Sequence, residues 1–194
     1  SQFLKDSGFQ QDYAIKPKAL SGNFEIDLAI HSGKKGEHPV SVLMEVKKPG
    51  NKGEMITPGQ FNKKALQEAI LYYLWEKDIN KNHELKHIVI TNLYEWYIFD
   101  ARDFHQWFYE DQQLIKTFRK WADNQLDTTK TKGMYAIIGE ALKDKEGTLP
   151  VTHFDLRDYE QYLNASTPSM AAEPAPETDA EAEAQEQLTL LHKG

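Results

Sequence analysis

Apolar and polar residues alternate through two neighbouring stretches of the chain. In the first, Phe24, Ile26, Leu28 and Ile30 fall on one side and Glu25, Asp27, Ala29 and His31 on the other. In the second, Val40, Val42, Met44 and Val46 oppose Ser41, Leu43, Glu45 and Lys47. A period of two predicts strands over residues 24–30 and 40–47, each with a polar side. The Gly/Lys-rich residues 32–39 predict a hairpin-like link, and Pro49-Gly50 ends the second strand. A loop follows, with Pro58 near its end. The period then lengthens: Phe61, Ala65, Ile70, Leu71, Leu74 and Trp75 form a stripe at helical spacing, which predicts a helix over residues 60–77. Residues 87–91 read as a short buried strand, Asn92-Leu93 as a turn, and residues 95–100 as an aromatic-rich strand. Helices are expected over 104–121 and 132–142, a helix end closed by Gly8 over 3–9, and a short element of open type over 154–163. Strand–strand–helix–strand–strand with helices after it is α/β: a mixed central sheet flanked by helices.

Composition changes at Ala165, where Pro168, Pro174 and Pro176 sit among Ala, Glu, Ser and Thr. Almost nothing there can be buried, so the expected organisation is a folded domain over 1–164 and a linker or disordered tail over 165–194. That tail holds six acids and one base, so the formal charge of −7 falls to −2 for residues 1–164. A local basic surface is compatible with such a nearly neutral domain. There is no cysteine, which excludes disulfides and thiolate–metal sites and fits a reducing cytoplasm. No apolar run approaches the roughly 18 residues that span a bilayer, and the first residues lack a signal-peptide pattern. The first residue is Ser1, not Met, so a processed chain or a fragment is expected. No Gly-x-Gly-x-x-Gly or Walker-type loop occurs, and no nucleotide or S-adenosylmethionine site is expected.

The chemistry concentrates on Asp27, Glu45 and Lys47. Glu45 and Lys47 leave the same side of one strand about 7 Å apart, and Asp27 joins them if the two strands pair. Two carboxylates and a lysine at one point make a hard-cation site beside a fixed positive charge. Glu-x-Lys alone is common on strand faces as a pairing device, but an acid inside an apolar strand is costly without a use. The following helix carries Gln67, Tyr72 and Tyr73; a plain surface role for Gln67 and core packing for the tyrosines are the alternatives. Lys47, Lys48, Lys52, Lys63 and Lys64 cluster in sequence, and beside such a site a phosphate-contacting role becomes the better reading. His83 and His87 flank a helix-to-strand change, against a shared metal face. His31 and His38 are expected to face solvent on a turn. Trp96, Tyr97 and Phe99 read as core before they read as a stacking platform, and Arg157–Asp158 as an ion pair.

Asp27, then Glu45-Val46-Lys47 on the next strand, then a helix bearing Gln67, resembles the PD-(D/E)XK nuclease superfamily, with Ile26 where that motif has proline. Three longer stretches are similar to one branch of it: Asn62-Lys63-Lys64-Ala65-Leu66-Gln67-Glu68-Ala69-Ile70-Leu71-Tyr72-Tyr73, Ile90-Thr91-Asn92-Leu93-Tyr94-Glu95-Trp96-Tyr97-Ile98-Phe99-Asp100-Ala101, and Phe154-Asp155-Leu156-Arg157-Asp158-Tyr159. That branch is the N-terminal cleavage domain of type IIG restriction–modification enzymes. The resemblance implies a restriction-endonuclease-like core and a Mg²⁺-dependent endonuclease acting on double-stranded DNA, with Mn²⁺ as a substitute. It implies Asp27 and Glu45 as metal ligands, Lys47 as the residue that positions the attacking water and stabilises charge, Gln67 as an orienting residue, and Lys48, Lys52, Lys63 and Lys64 as phosphate contacts. Methyltransferase and target-recognition domains on the same polypeptide, and a transient dimer on DNA, complete the expectation. The rivals are a non-catalytic nuclease-like module that binds DNA or protein, and a stand-alone repair or junction nuclease.

Overall fold

The computed structural model describes residues 15–21, 24–33, 38–126 and 131–159. The expected helix end over 3–9 and the expected tail over 165–194 lie outside them. The described residues up to Arg157 belong to one compact unit. Six strands make a single mixed sheet: β1 (Ile15–Ser21), β2 (Phe24–His31), β3 (Val40–Val46), β4 (His87–Thr91), β5 (Glu95–Asp100) and β6 (Thr152–Asp155), paired in that order. All neighbours are antiparallel except β3 and β4. That parallel pair needs a crossover, and helix α1 (Lys64–Leu74) supplies it. The crossover sets the C-terminal ends of β3 and β4 side by side.

The sheet's two faces differ. Leu43 pairs with Ile88 and with Ala29, and Ile88 with Phe99; Glu45 pairs with Ile90, and Ile90 with Tyr97. All of these apolar residues are fully buried in one core with the helices: α1, a short α2 (Ala101–Phe104), α3 (Gln112–Ala122) and α4 (Thr131–Lys143). Tyr73, Phe104 and Phe108 meet edge to face at 5.4 and 5.1 Å, seating α2 on α1. The architecture is α/β with a mixed sheet flanked by helices, as expected.

Five details depart from expectation. The strand face carrying Glu45 and Lys47 is the helix-covered one, not an open polar face; the alternation was real, but its polar members point into the packed side. The helix expected from residue 60 begins at Lys64, because Thr57 and Gln60 exchange backbone hydrogen bonds (3.2 and 2.9 Å) around a tight turn with Gly59 at φ +83°. The helix expected over 104–121 is broken: a π-helical turn (His105–Tyr109) follows α2, and Asp111 then caps α3 by accepting from the backbone N–H groups of Gln113 and Leu114. His31 is buried, its Nδ1 2.7 Å from the His38 carbonyl, and Arg157 pairs with Asp155, an acid not expected as its partner. Among the described residues no helix is long and apolar enough to cross a membrane.

Candidate active site

The site forms where β2 and β3 part. Leu28 still faces Met44 in the ladder. Beyond it β2 slips by one residue against β1, since Lys16 faces Ala29 but Lys18 faces Ile26. This bulge falls at Asp27-Leu28 and lets Ile26 and Ala29 both reach the core, while Asp27 is exposed. Bulges of this kind re-aim side chains beside functional sites. Asp27 Oδ2 takes over the missing ladder bond by accepting from the Val46 N–H at 2.8 Å. The two strand ends are thereby held together through a carboxylate.

On the helix-covered face, Glu45 and Lys47 are 4% and 8% exposed. Lys47 Nζ donates to Glu45 Oε1 at 2.8 Å and to Glu68 on α1, and lies 3.7 Å from Glu54 Oε2. Glu68 is 8% exposed, and one turn before it Lys64 bridges to Glu68 (3.5 Å) and Glu54 (3.0 Å). The loop carrying Glu54 is fixed by the Ala65 N–H, which donates to the Glu54 carbonyl, and by Asn51, which donates to its carboxylate at 2.9 Å. Three carboxylates (Glu45, Glu54, Glu68) therefore meet two ammonium groups, with Asp27 at the adjoining strand end. Glu45 Oε2 is buried with no hydrogen-bond partner, which is expensive for a carboxylate.

The electrostatics follow. Burial pushes the Glu45 carboxyl up, to about 9; Lys47 opposes the rise, and Glu68 and Asp27 add to it. Burial alone would lower the Lys47 ammonium, but Glu45 and Glu68 outweigh it and hold it above its ordinary range. The Tyr72 phenol is raised by burial and by the charge of Glu45. Tyr135 on α4 is raised to about 12 by burial and by Glu68. Both phenols stay neutral and wall the site. An open cleft of about 680 Å³ reaches it, lined by Glu54, Lys64, Gln67, Glu68, Lys132 and Tyr135 among others.

Residues 1–176 match the sequence profile of a family described as a domain of unknown function, DUF7149. The chain belongs to the DUF7149 family. No curated protein matches it. Among solved structures, the type IIG restriction endonuclease BpuSI is similar over 77% of this DUF7149 chain and 16% of its own, at 17% identity and a TM-score of 0.36. The DUF7149 chain thus spans under a fifth of that enzyme's length, and a likeness of this degree decides nothing about activity.

In this DUF7149 domain Glu45 and Lys47 leave the same side of β3, and Asp27 joins them through its bond to the Val46 N–H between them. Gln67 lines the cleft but bonds away from Lys47: its amide donates to Asn62 Oδ1 at 2.9 Å, and Asn62 donates to the Gly139 carbonyl at 2.8 Å. A Cβ at Gly139 would meet the Gln67 amide at 3.0 Å, so Gln67 and Asn62 form the close contact between α1 and α4. Glu68, its neighbour, is the residue that reaches Lys47, and sequence reasoning missed it. The signal was there: an acid in the apolar run Ala65–Leu74, four residues after Lys64. Lys48 and Lys52 are exposed and Lys63 is half-buried; Lys64 is tied to Glu54 and Glu68. Among the described residues no three His, Cys, Asp or Glu side chains form a ready-made metal cage.

Proposed function

We propose that this domain is a Mg²⁺-dependent endonuclease that hydrolyses phosphodiester bonds of double-stranded DNA. The observation that carries the reading is the buried, unpartnered Glu45 Oε2 beside a buried lysine and next to the strand end that Asp27 holds. The donor set fits a hard divalent cation: oxygen ligands, an excess of negative charge, and room for retained waters, which suits Mg²⁺ bound through one or two carboxylates. Asp27 and Glu45 are the residues that would hold it. Bound there, the cation would lower the pKa of a coordinated water and neutralise phosphate oxygens.

The chain's own groups do the rest. Lys47 keeps its proton and offers a fixed positive charge to the phosphate and to the charge that develops during attack. Glu68 orients Lys47 from α1, holding the ammonium beside Glu45. Glu54 and Lys64 extend the alternating charges towards the open cleft, and Lys48, Lys52 and Lys63, outside its lining, are the further residues we assign to phosphate contacts. The resemblance in sequence to type IIG cleavage domains supports a place in a restriction system, tethered to methyltransferase and target-recognition domains and pairing on DNA to cut both strands.

A second reading has an observation of its own. Lys47 is engaged by two carboxylates at once, which is also how a retired nuclease fold would seal its site and keep only binding. Calorimetric titration with Mn²⁺ separates the two. On the nuclease reading wild type binds the ion, and Asp27→Ala and Glu45→Ala lose it. Absence of binding by wild type supports the sealed site.

A further inference from the structure

Glu45 and Lys47 share their end of the sheet with the turn between β4 and β5. Val46 faces Thr91 in the parallel ladder, and the Lys47 N–H extends it by donating to the Thr91 carbonyl at 2.8 Å. The turn Asn92–Glu95 begins one residue later. Its first central residue, Leu93, has φ +80°, the left-handed region that hairpin turns of the II′ kind reserve for glycine. A leucine there is strained, and Leu93 gains no burial in return, being 57% exposed.

The turn is nevertheless held firmly. Asn92 Oδ1 accepts from the backbone N–H groups of Tyr94 (3.1 Å) and Glu95 (2.8 Å), Thr91 Oγ1 accepts from the Leu93 N–H (3.0 Å), and the Trp96 indole donates to the Leu93 carbonyl (3.1 Å). Tyr94, 44% exposed, stands beside Leu93 and carries the Arg157 guanidinium 5.1 Å above its ring. Strain maintained by surrounding structure points to a use for the strained residue.

We propose that this turn is a second DNA contact, in which Leu93 and Tyr94 press apolar and aromatic surface against base pairs next to the scissile phosphate. The inference rests on the nuclease reading above. One strand spacing and two residues separate Leu93 from Lys47, roughly 10 Å, less than the width of a major groove. On the nuclease reading, a duplex whose phosphate approaches the Lys47 end of β3 passes within reach of the turn. Apolar wedges that unstack a base step are an established way of gripping DNA, and a leucine presented on a braced turn has the rigidity this needs.

The test uses wild type, Leu93→Gly and Leu93→Asn. Both replacements suit a positive φ, so both should remain folded and melt about 3 °C higher. Affinity is read by anisotropy on a fluorescein-labelled 20-base-pair duplex, and unstacking by the fluorescence of 2-aminopurine placed in the same duplex. Both variants should bind about tenfold more weakly and lose the 2-aminopurine rise. The salt dependence of binding should stay that of wild type, because phosphate contacts are intact. Variants that bind and unstack the duplex as wild type does would overturn the proposal and leave a protein partner as the occupant of the turn. If wild type itself fails to bind duplex, the nuclease reading falls with it.

Discussion

Replacing Glu45 by glutamine should stabilise the metal-free protein. The substitution keeps the shape and leaves Lys47 an acceptor, with Glu68 still beside it. It removes a carboxylate whose buried Oε2 has no partner and whose pKa burial raises to about 9. A carboxyl raised in this way takes up a proton on folding, at a cost of about 1.4 kcal/mol for each pH unit above its unfolded value. At pH 7 that is about 3 kcal/mol, with the opposing pull of Lys47 already counted in it, and the unpaired amide that glutamine buries in place of Oε2 offsets part of it, leaving roughly 1–3 kcal/mol. For a chain of this size the gain is about 3–10 °C in Tm. The sign with pH follows from a folded pKa above the unfolded one. Wild type has its full share of stability below pH of about 4.5, and loses it relative to the variant as pH rises towards 9. Thermal unfolding in EDTA at several pH values between 4 and 9 measures this, and a saturating divalent cation should close the gap by supplying Glu45 with its missing partner. A variant less stable than wild type at pH 8 in EDTA would mean the opposite balance, with the Glu45–Lys47 attraction outweighing the burial.

Lys47→Ala should lower the cleavage rate by on the order of 10²-fold, the usual loss for one electrostatic donor, with metal binding by calorimetry retained. Glu68→Gln should reduce kcat about tenfold with KM little changed, since Glu68 orients Lys47 and does not meet the substrate; steady-state cleavage of a labelled duplex separates the two constants. Away from the site, Asp78 is buried and accepts from Arg119 (2.7 and 3.0 Å) and from the Tyr109 hydroxyl (2.9 Å). Arg119 holds its carboxyl below the usual range. Asp78→Asn should cost about 2 kcal/mol at pH 7 by urea unfolding, and the difference should shrink as pH falls below about 4, where the wild-type carboxylate is protonated.

What was legible in the sequence was what periodicity encodes. Residues 87–91 and 95–100 are strands with the expected bounds, because short β-branched and aromatic runs between turn residues have few alternatives. The shared side of Glu45 and Lys47 followed from alternation, whereas the meeting with Asp27 was conditional on β2 pairing with β3 and is completed by the bulge at Asp27-Leu28 and the bond to the Val46 N–H. Strand β1 escaped notice because Lys16, Pro17 and Lys18 interrupt its apolar positions. A proline suits an edge strand, and only pairing with β2 makes this segment a strand. The inversion of the polar face escaped for a related reason: alternation says which residues share a side, but the helices decide which side is buried. Glu68 was hidden because Lys64 and Glu68 at i, i+4 look like an ordinary helix-surface pair. The turn of α1 against β3, set partly by the close approach at Gly139, directs Glu68 inward.

On the proposed function, Asp27, Glu45 and Lys47 form a working phosphodiester hydrolase site. Incubation of supercoiled plasmid with this chain in Mg²⁺ or Mn²⁺, against EDTA and against Glu45→Ala, tests it most directly. Metal-dependent nicking that disappears in Glu45→Ala is the predicted result, and cleavage that persists undiminished in Glu45→Ala, or wild type that leaves the plasmid intact with either metal, would contradict it.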